Sequence, residues 1–262
     1  MIVKALTIAG SDPSGGAGIQ ADLKAFSANG AYGMSVLTAL TAQSTQGVTG
    51  VHAVPVGFVA EQLDTLLADI TPDATKIGML ATAELADLIG GYLPRLRLTV
   101  LDPVMVATSG DRLLDEDAVD AIRRLLPLVD LITPNLHEAA VLLDEPPATN
   151  LDGLAAQAER LVSLGAQRAL VKGGHLDESA TDLLADRDGV TALPGRRVDT
   201  ANTHGTGCTL SSTIAALRPQ RPGWFEAVRD AKNYLTDALA AADTLGVGHG
   251  HGPVHHFVHH WS

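Results

Sequence analysis

The stretch VKALTIAGSDPSGGAGIQADLKAFSA, residues 3–28, indicates which fold class this chain adopts. Its first part, Val3–Ala9, is an apolar run of strand length, and the glycine-rich turn Gly10–Gly18 follows it. The residues near Ile19–Ala28 then predict a helix. A strand that passes through a short turn into a helix is the unit from which α/β proteins with parallel sheets are built.

The same alternation continues to the end of the chain. Further strands are predicted at Gly33–Ala42, Val48–Pro55, Thr75–Met79, Leu98–Leu101, Leu128–Ile132, Ala169–Val171, Thr181–Ala185 and Val190–Leu193. Further helices are predicted at Phe58–Ile70, Glu84–Tyr92, Ala118–Leu126, Leu136–Leu143, Leu154–Leu164, Cys208–Leu217 and Phe225–Leu239. We therefore predict an α/β fold with a mainly parallel central sheet and helices on both faces. No linker or internal repeat interrupts the pattern, so residues 1–262 are predicted to form a single domain.

The composition disfavours several classes of function. The chain has 262 residues, with 18 Lys and Arg against 30 Asp and Glu, and its formal net charge is −12. This acidic balance disfavours nucleic acids and membranes as partners, because both are bound through a basic face. The single cysteine excludes an internal disulfide and fits a reducing compartment, so a cytoplasmic location is expected.

Residues 25–60 contain no Asp, Glu, Lys or Arg. Polar residues such as Gln43, Gln46 and His52 interrupt this stretch, whereas a membrane span needs about 20 predominantly apolar residues. We interpret the stretch as two buried strands joined by a turn. Its length without charge predicts a deeply enclosed region.

Ligands of open α/β sheets bind beyond the carboxyl ends of the strands. The segments that leave the predicted strands are small or polar, which fits one shared cleft. These segments are Gly10-Ser-Asp, Gln43-Ser-Thr, Gly78-Met79, Asp102-Pro103, Pro134-Asn135, Lys172-Gly-Gly and the turn before Cys208.

The strongest local indication of a site is Asn202-Thr-His-Gly-Thr-Gly-Cys208, which precedes a helix rich in small residues. Gly205 and Gly207 permit close backbone approach and unusual dihedral angles. Amides at the start of a helix bind anions, and the helix dipole strengthens that binding. The segment therefore predicts a site for a phosphate or for the charge that develops in phosphoryl transfer. The alternative is a simple glycine-rich turn capped by Thr206.

Cys208 lies at the end of this turn. A thiol at a helix N-terminus is expected to have a lowered pKa, which predicts a base or a nucleophile. The alternative is a small buried side chain. A P-loop ATPase is disfavoured, because no Gly-Lys pair occurs in the chain.

Polar side chains near other strand ends predict further parts of a site. Glu138 would hold Mg²⁺ directly or through water, with Asp102 as a second electrostatic partner; the alternative is a capping box with Asn135. Lys172 would meet a phosphate as a point charge, or would be a solvated loop lysine. Gln43 would bond the polar groups of a heteroaromatic ring, or would bond neighbouring backbone.

Histidine is concentrated near the C-terminus, at positions 249, 251, 255, 256, 259 and 260. The spacing of these residues does not match a closed zinc site. We therefore predict a C-terminal segment that packs on the domain.

Taken together, these motifs resemble those of the hydroxymethylpyrimidine/phosphomethylpyrimidine kinases. The resemblance begins with AGSDPSGGAGIQADLK, residues 9–24, and spans nearly the whole chain. The later motifs follow in the family's order: Thr41-Ala-Gln43, Lys76-Ile-Gly-Met-Leu80, Leu101-Asp-Pro-Val-Met105, Thr133-Pro-Asn-Leu-His-Glu138, Val171-Lys-Gly-Gly-His175, Thr203-His-Gly-Thr-Gly-Cys208 and Gly250-His-Gly-Pro-Val-His255.

This resemblance implies a ribokinase-like fold, a three-layer α/β sandwich. It also implies two successive ATP-dependent phosphorylations that make the pyrimidine half of thiamine, with ATP as co-substrate and Mg²⁺ as cofactor. A homodimer is expected on the same ground.

The resemblance further implies roles for the matching residues. Gln43 would bond the aminopyrimidine, and Cys208 would stand where related sugar kinases carry an aspartate base. Gly205–Cys208 would form the anion hole, and Lys172 would lie near the nucleotide phosphates. Glu138 and Asp102 would serve Mg²⁺. The walls of the substrate pocket would be Gly10, Ala17, Met79 and Val104.

Three alternatives remain open on the sequence. The first is a pyridoxal or pyridoxine kinase of the same superfamily, whose substrate is also a hydroxymethyl-bearing nitrogen heterocycle. The second is a hydrolase in which Cys208 is the nucleophile, with His204 or His175 as base. The third is a regulator that binds a thiamine precursor or a nucleotide without turnover.

Residues 107–111 and 177–180 are candidates for a segment that covers the site.

Overall fold

The chain forms the expected strand–turn–helix unit at its start and repeats it through most of its length. The computed structural model describes residues 1–105, 116–174, 176 and 180–261. Both candidate covering segments, apart from Ala180, lie outside the described residues.

The strands are β1 Val3–Ser11, β2 Ala31–Ser44, β3 Gly47–Ala53, β4 Ala74–Ile77, β5 Thr99–Leu101, β6 Leu131–Ile132, β7 Arg168–Val171, β8 Asp182–Asp186 and β9 Gly189–Leu193. The α-helices are α1 Gly18–Ala28, α2 Val56–Asp69, α3 Ala83–Tyr92, α4 Glu116–Leu125, α5 Leu136–Leu143, α6 Leu151–Ser163, α7 Thr206–Leu217 and α8 Trp224–Ala240. Short 3₁₀ helices cover Leu93–Arg95, Leu126–Leu128, Arg218–Gln220 and Ala242–Leu245.

The described strands form one nine-stranded sheet in the order β3-β2-β1-β4-β5-β6-β7-β8-β9. Within this order the neighbours pair in parallel from β2 through β1, β4, β5 and β6 to β7. Strand β3 at one edge and strands β8 and β9 at the other edge pair antiparallel. The predicted mainly parallel α/β sheet is thus confirmed. Because all the parallel strands run in one direction, their carboxyl ends meet at one edge of the sheet, where the loops converge.

Helices cover both faces of the sheet, as predicted. Helices α2 to α6 pack on one face, where Leu6 and Ile8 of β1 enter a large apolar core. Helices α1, α7 and α8 pack on the other face, where Ala5 of β1 contributes to a second core. Side chains of a strand alternate between its two faces, so the apolar run of β1 serves both cores.

Two local predictions were wrong. The predicted strand Leu128–Ile132 is shorter, because Leu126–Leu128 is a 3₁₀ helix with a proline in its first turn and pairing begins only at Leu131. The charge-free stretch is not deeply enclosed throughout, because β3 is the edge strand and its residues 49–53 are exposed. Absence of charge therefore does not reflect burial in this part of the chain.

Within the part of the chain that the structure describes, no helix combines the length and the apolar character needed to cross a bilayer.

Candidate active site

A cavity of about 980 Å³ lies at the carboxyl ends of the parallel strands. It is lined by the last residues of β1 and β2 and by residues that follow β1, β4, β5, β6 and β7, together with the start of α7. All twelve residues predicted to form the site line this one cavity, although their individual roles stay predictions. They are Gly10, Ala17, Gln43, Met79, Asp102, Val104, Glu138, Lys172, Gly205, Thr206, Gly207 and Cys208.

The loop after β1 is organised around the carboxylate of Asp12. This carboxylate accepts hydrogen bonds from the amides of Ser14 and Ala17, both at 2.8 Å, and its Oδ2 lies 2.7 Å from Nε2 of His204. Burial acts to raise the pKa of Asp12, but the bonds from His204, Ser14 and Ala17 hold it below its usual value. The loop after β1 is thereby tied to the turn before α7. Sequence reasoning missed both Asp12 and His204 as a pair, because 192 residues separate them.

The turn before α7 brings backbone amides to the cavity. Gly205 is the N-cap with a φ of 76°, and a Cβ at this position would overlap the carbonyl oxygen of Gly16. The α-helical bonds begin with the amide of Thr209, which donates to Gly205 O at 2.8 Å. The amides of residues 207 and 208 therefore precede the hydrogen-bonded ladder, at the positive end of the helix dipole.

Thr206 does not cap α7, so the alternative of a turn capped by this residue is wrong. Its hydroxyl instead donates to the carbonyl oxygen of Thr203, three residues earlier, at 2.6 Å. Thr206 is the first residue of the helix, and a side chain inside the first turn cannot take the position that an N-cap occupies.

Cys208 faces the cavity from the first turn of α7 and is half-buried. Its pKa is raised to about 11, so the prediction of a lowered pKa was wrong. Burial raises the pKa of the thiol, the ammonium of Lys76 lowers it, and the carboxylates of Asp22 and Asp102 raise it again. The amide of Gly18 also bonds the sulfur and lowers the pKa. The sequence shows the helix terminus but not the acidic groups that surround it.

Lys172 lies between two buried carboxylates. Its Nζ is 3.2 Å from Oδ1 of Asp102 and 4.0 Å from Oε2 of Glu138, so it is not the solvated loop lysine of the alternative. Burial opposes the charge on Lys172, but Asp102 and Glu138 raise the pKa of the ammonium above its usual value. A Cβ on Gly207 would lie 3.3 Å from Nζ of Lys172, which places the ammonium beside the turn before α7.

Glu138 also forms the capping box that was its alternative role. Its Oε2 accepts the amide of Asn135 at 2.8 Å, and Oδ1 of Asn135 accepts the amide of Glu138 at 2.9 Å. Burial raises the pKa of Glu138 to about 7, with Lys172 opposing the shift and Asp102 adding to it. The capping bond and a second ligand are compatible, because a carboxylate has about four acceptor positions.

Another part of the cavity wall is formed by β1, β2 and the residues after β4. Oε1 of Gln43 accepts the hydroxyl of Thr41 at 3.1 Å, so its partner is a neighbouring side chain and not backbone. A Cβ on Gly10 would lie 2.8 Å from Cε of Met79, so the absence of a side chain at residue 10 makes room for this methionine. Gln43 and Cys208 therefore lie in one hollow, as the family resemblance requires.

Further charged residues of the cavity were missed by sequence reasoning. Nζ of Lys232 lies 2.6 Å from both Oδ2 of Asp182 and the carbonyl oxygen of Ala180, and Oδ1 of Asp182 accepts the amide of Gly173 at 2.9 Å. Lys232 is also buried among the apolar residues of α8. A lysine in the apolar phase of an amphipathic helix was the available indication of this pair.

The histidine-rich segment packs on the domain, as predicted. Val254 is fully buried and His256 is 4% exposed. The segment contacts the turn before α7, because the amide of His204 donates to Gly252 O at 3.0 Å. Among the described residues, no group of three or more His, Cys, Asp or Glu is arranged to hold a metal ion.

The hydrolase alternative receives no support from His204. Its Nε2 pairs with Asp12 at 2.7 Å, on the side of the loop after β1, and not with Cys208. His175, the other candidate base, lies outside the described residues.

Comparison with known proteins extends these observations over the full chain. A sequence model of the family described as phosphomethylpyrimidine kinase matches residues 12–255. The hydroxymethylpyrimidine/phosphomethylpyrimidine kinase of Escherichia coli (strain K12) is 54% identical over 263 residues, which cover 99% of this chain and 98% of that protein. The protein of the same name from Bacillus subtilis (strain 168) is 41% identical, with 98% and 96% coverage.

Solved structures agree with these sequence matches. The ADP complex of Bacillus subtilis pyridoxal kinase has a TM-score of 0.91 at 35% identity and covers 100% of both chains. The phosphomethylpyrimidine kinase of Clostridium difficile 630 has a TM-score of 0.80 at 40% identity, covering 90% of this chain and 99% of the other. These similarities confirm the expected ribokinase-like α/β fold. Since the motifs, the fold and the full-length sequence matches all agree, the chain belongs to the phosphomethylpyrimidine kinase family.

Proposed function

We propose that the protein transfers the γ-phosphoryl group of ATP to 4-amino-5-hydroxymethyl-2-methylpyrimidine, and then phosphorylates the resulting monophosphate, in thiamine biosynthesis. The observation that carries this proposal is the single cavity shared by Gln43, Lys172 and Cys208. A ring held by the carboxamide of Gln43 would lie in the same hollow as the amides of the turn before α7. Relatives that are 54% identical and carry the name of this activity support the substrate class.

The turn before α7 stabilises the charge that develops on the transferred group. Phosphoryl transfer requires mainly positioning and neutralisation of charge, which fixed amides and a lysine supply. Each such preorganised donor is worth roughly 10²–10³-fold in rate. Lys172 approaches the turn at residue 207, so the same phosphoryl oxygens meet both the ammonium and the helix amides.

The donor set beside Lys172 fits Mg²⁺. Asp102 and Glu138 are buried carboxylates that converge on one ammonium, at 3.2 and 4.0 Å. Mg²⁺ is usually held by one or two carboxylates together with waters and substrate phosphates. These two side chains would hold the ion beside the nucleotide, where its charge would stabilise the phosphoryl oxygens. Lys172 would then bind a phosphate oxygen in place of one of its present carboxylate partners.

The two phosphorylations place different demands on Cys208. The hydroxymethyl group must lose a proton in the first step, and the sulfur of Cys208 faces the cavity in which that group would lie. The acceptor in the second step is a phosphate, which is already ionised at neutral pH. In its thiolate form Cys208 would accept this proton in the first step, and it has no proton to accept in the second.

The direct test measures ADP release with hydroxymethylpyrimidine and with its monophosphate, each with and without Mg²⁺. We expect turnover of both, dependent on Mg²⁺, and KM for the pyrimidine at least tenfold higher in Gln43→Ala. The matched control is Gln46→Ala, since residue 46 is exposed three positions further along the same hairpin. If pyridoxal or pyridoxine is turned over faster than the pyrimidine, measured side by side, the protein is a pyridoxal or pyridoxine kinase and the proposal is wrong.

A homodimer is part of the same proposal, with the β2–β3 edge as its interface. Residues 25–60 carry no Asp, Glu, Lys or Arg, although the chain has a net charge of −12. Tyr32, Val51 and Phe58 are exposed by 62%, 52% and 54% on or next to this edge. Proteins commonly carry charged side chains on an exposed edge strand, which prevents pairing with other chains. An edge strand without such charges is consistent with a second copy of the chain packing against it.

Light scattering after gel filtration tests the homodimer. We expect twice the chain mass for the unaltered protein and the single-chain mass for Val51→Lys. Leu164→Lys is the control, because Leu164 is a similarly exposed apolar residue away from the edge. A monomeric unaltered protein, or a single-chain mass for both variants, would contradict this interface.

The co-substrate ATP and the single thiol support a cytoplasmic location.

A further inference from the structure

A fully buried ion pair lies at the wall of the cavity and has no part in the mechanism derived so far. Nζ of Lys76 is 2.9 Å from both carboxylate oxygens of Asp22, and both side chains are 0% exposed. Removing two charges from water costs free energy, and apolar residues of similar volume often stabilise a fold equally well in place of such a pair. The pair therefore calls for an explanation other than stability.

The carboxylate of Asp22 is fixed by two further hydrogen bonds. Thr7 donates to Oδ2 at 2.6 Å, and Ser212 donates to Oδ1 at 2.6 Å. These partners belong to different elements, with Thr7 on β1, Asp22 on α1, Lys76 on β4 and Ser212 on α7. Ser212 follows Cys208 by four residues, so it lies one turn further along the same side of α7. The network is thus anchored to the helix that carries the thiol.

Lys76 reaches the cavity although its side chain is excluded from solvent. It belongs to the cavity wall together with Cys208 and Asp102. A Cβ on Gly78 would lie 2.8 Å from Nζ of Lys76, so the glycine leaves the space that the ammonium needs. Asp22 holds this ammonium on one side, and the cavity wall that Lys76 shares with Cys208 brings its positive charge to act on the sulfur.

We propose that Lys76 is a positioning residue for the first phosphorylation, oriented by Asp22 so that its positive charge stabilises the sulfur of Cys208 when it carries negative charge. This inference rests on the proposed role of Cys208 and adds a group that favours the thiolate form which that role requires. The charged groups that act on the sulfur are Lys76, Asp22, Asp102 and Lys172. Burial opposes ionisation of the thiol, and Lys76 is the strongest influence in the other direction.

The test uses a property of Cys208 that does not depend on turnover. Cys208 is the only cysteine in the chain, so the rate of its alkylation by iodoacetamide reports the thiolate fraction at each pH. In Lys76→Met we expect this rate at pH 8 to fall by about tenfold or more, because an opposite charge nearby shifts a pKa by one or more units. We also expect kcat of the first phosphorylation to fall and kcat of the second to change little.

Two further variants distinguish a specific effect of Lys76 from a general effect on charge or folding. Lys4→Met is the control, because Lys4 lies on the neighbouring strand β1 and pairs with Asp73 near the surface, at 4.0 Å. Asp22→Asn/Lys76→Met removes both buried charges and avoids leaving one unpaired, which protects folding. This double variant should slow alkylation in the same direction but less, since the opposing charge of Asp22 is also lost.

The outcomes separate this inference from the proposed function. An alkylation rate that is unchanged in folded Lys76→Met, or in the double variant if the single one does not fold, would refute the role of Lys76. Absence of kinase activity in the unaltered protein, with the alkylation shift intact, would instead refute the proposed function. Equal loss of both phosphorylations would indicate a general structural role for the pair and would likewise overturn the inference.

Discussion

At Cys208, burial and two carboxylates raise the pKa of the thiol, while one lysine and one amide lower it. Enclosure by protein raises the pKa to about 11, although Lys76 and the amide of Gly18 both favour the thiolate. At pH 7 the thiol is therefore protonated in all but about one molecule in 10⁴, since each unit of pKa is a factor of ten. A helix N-terminus does not by itself lower the pKa of a thiol that is buried and has acidic side chains nearby.

The variant Cys208→Ala tests the proposed role of this sulfur. We expect kcat of the first phosphorylation to fall by about 10²–10⁴-fold, the usual contribution of a general base, and kcat of the second to change much less. In the unaltered protein, kcat of the first step should rise about tenfold per pH unit between pH 7 and 9, because the thiolate fraction rises while pH stays below the pKa of about 11. Separate initial rates for the two steps measure both effects. Equal loss in both steps, or a flat pH profile of the first, would rule out a proton-accepting sulfur.

At the scale of elements, the turn before α7 depends on two glycines from distant parts of the chain. Gly205 adopts a φ of 76°, which favours glycine, and its Cα lies against the carbonyl oxygen of Gly16 in the loop after β1. A side chain at residue 205 would push the two loops apart. The anion site and the substrate loop are therefore one structural unit.

We expect Gly205→Ala to abolish most of the activity, by at least about 100-fold in kcat, because the amides of the turn lose their position. The matched control is Gly246→Ala. Gly246 has a φ of 56° but nothing within 4 Å of the position of a Cβ, so it suffers backbone strain of about 1–3 kcal/mol without a clash. Thermal unfolding and ADP release should show loss of stability in both variants and loss of activity only in Gly205→Ala. Retained activity in a folded Gly205→Ala would contradict the close approach of the two loops.

The elements themselves could be predicted because their signals are local. Apolar runs such as Val3–Ala9 and the turns after them reveal a parallel sheet, and a parallel sheet gathers its strand ends at one edge. The twelve predicted site residues were chosen from motifs and strand ends, and all of them line one cavity, whereas their roles stay predictions. The exposure of β3 could not be predicted, because a stretch without charged residues is compatible with a buried core and also with an interface. The contacts of Lys76 and His204 depend on partners 54 and 192 residues away, and no local pattern indicates them.

At the scale of the whole molecule, the C-terminal segment connects the last residues to the centre of the fold. Nε2 of His256 lies 3.0 Å from the hydroxyl of Thr209 on α7, and the backbone oxygen of His256 accepts the hydroxyl of Tyr234 on α8 at 2.5 Å. Burial lowers the pKa of His256 to about 3, and the charge of Lys24 adds to the shift. The imidazole of His256 is thus neutral in the folded protein between pH 6.5 and about 3, where the same group in the unfolded chain is protonated.

This difference makes the stability of the fold depend on pH. Between pH 6.5 and 3 the unfolded state binds a proton at His256 that the folded state does not, so the free energy of unfolding falls as pH falls through this window. The stability is fully present above pH 6.5, and each unit below it removes about 1.4 kcal/mol. Lowering the pH from 6.5 to 5 should therefore remove about 2 kcal/mol through this one side chain.

The variant His256→Gln removes the titrating group and keeps a polar side chain of similar length. We expect it to be less stable than the unaltered protein at pH 7.5, because the packing at Thr209 is disturbed, yet to lose about 2 kcal/mol less when the pH is lowered to 5. His259→Gln is the control, since His259 is exposed by 53% at its side chain and pairs with Asp237 on the surface. Urea unfolding at the two pH values measures the difference. If His256→Gln and the unaltered protein lose equal stability on acidification, the imidazole is protonated in the folded state, and the C-terminal segment does not enclose it as the contacts with α7 and α8 require.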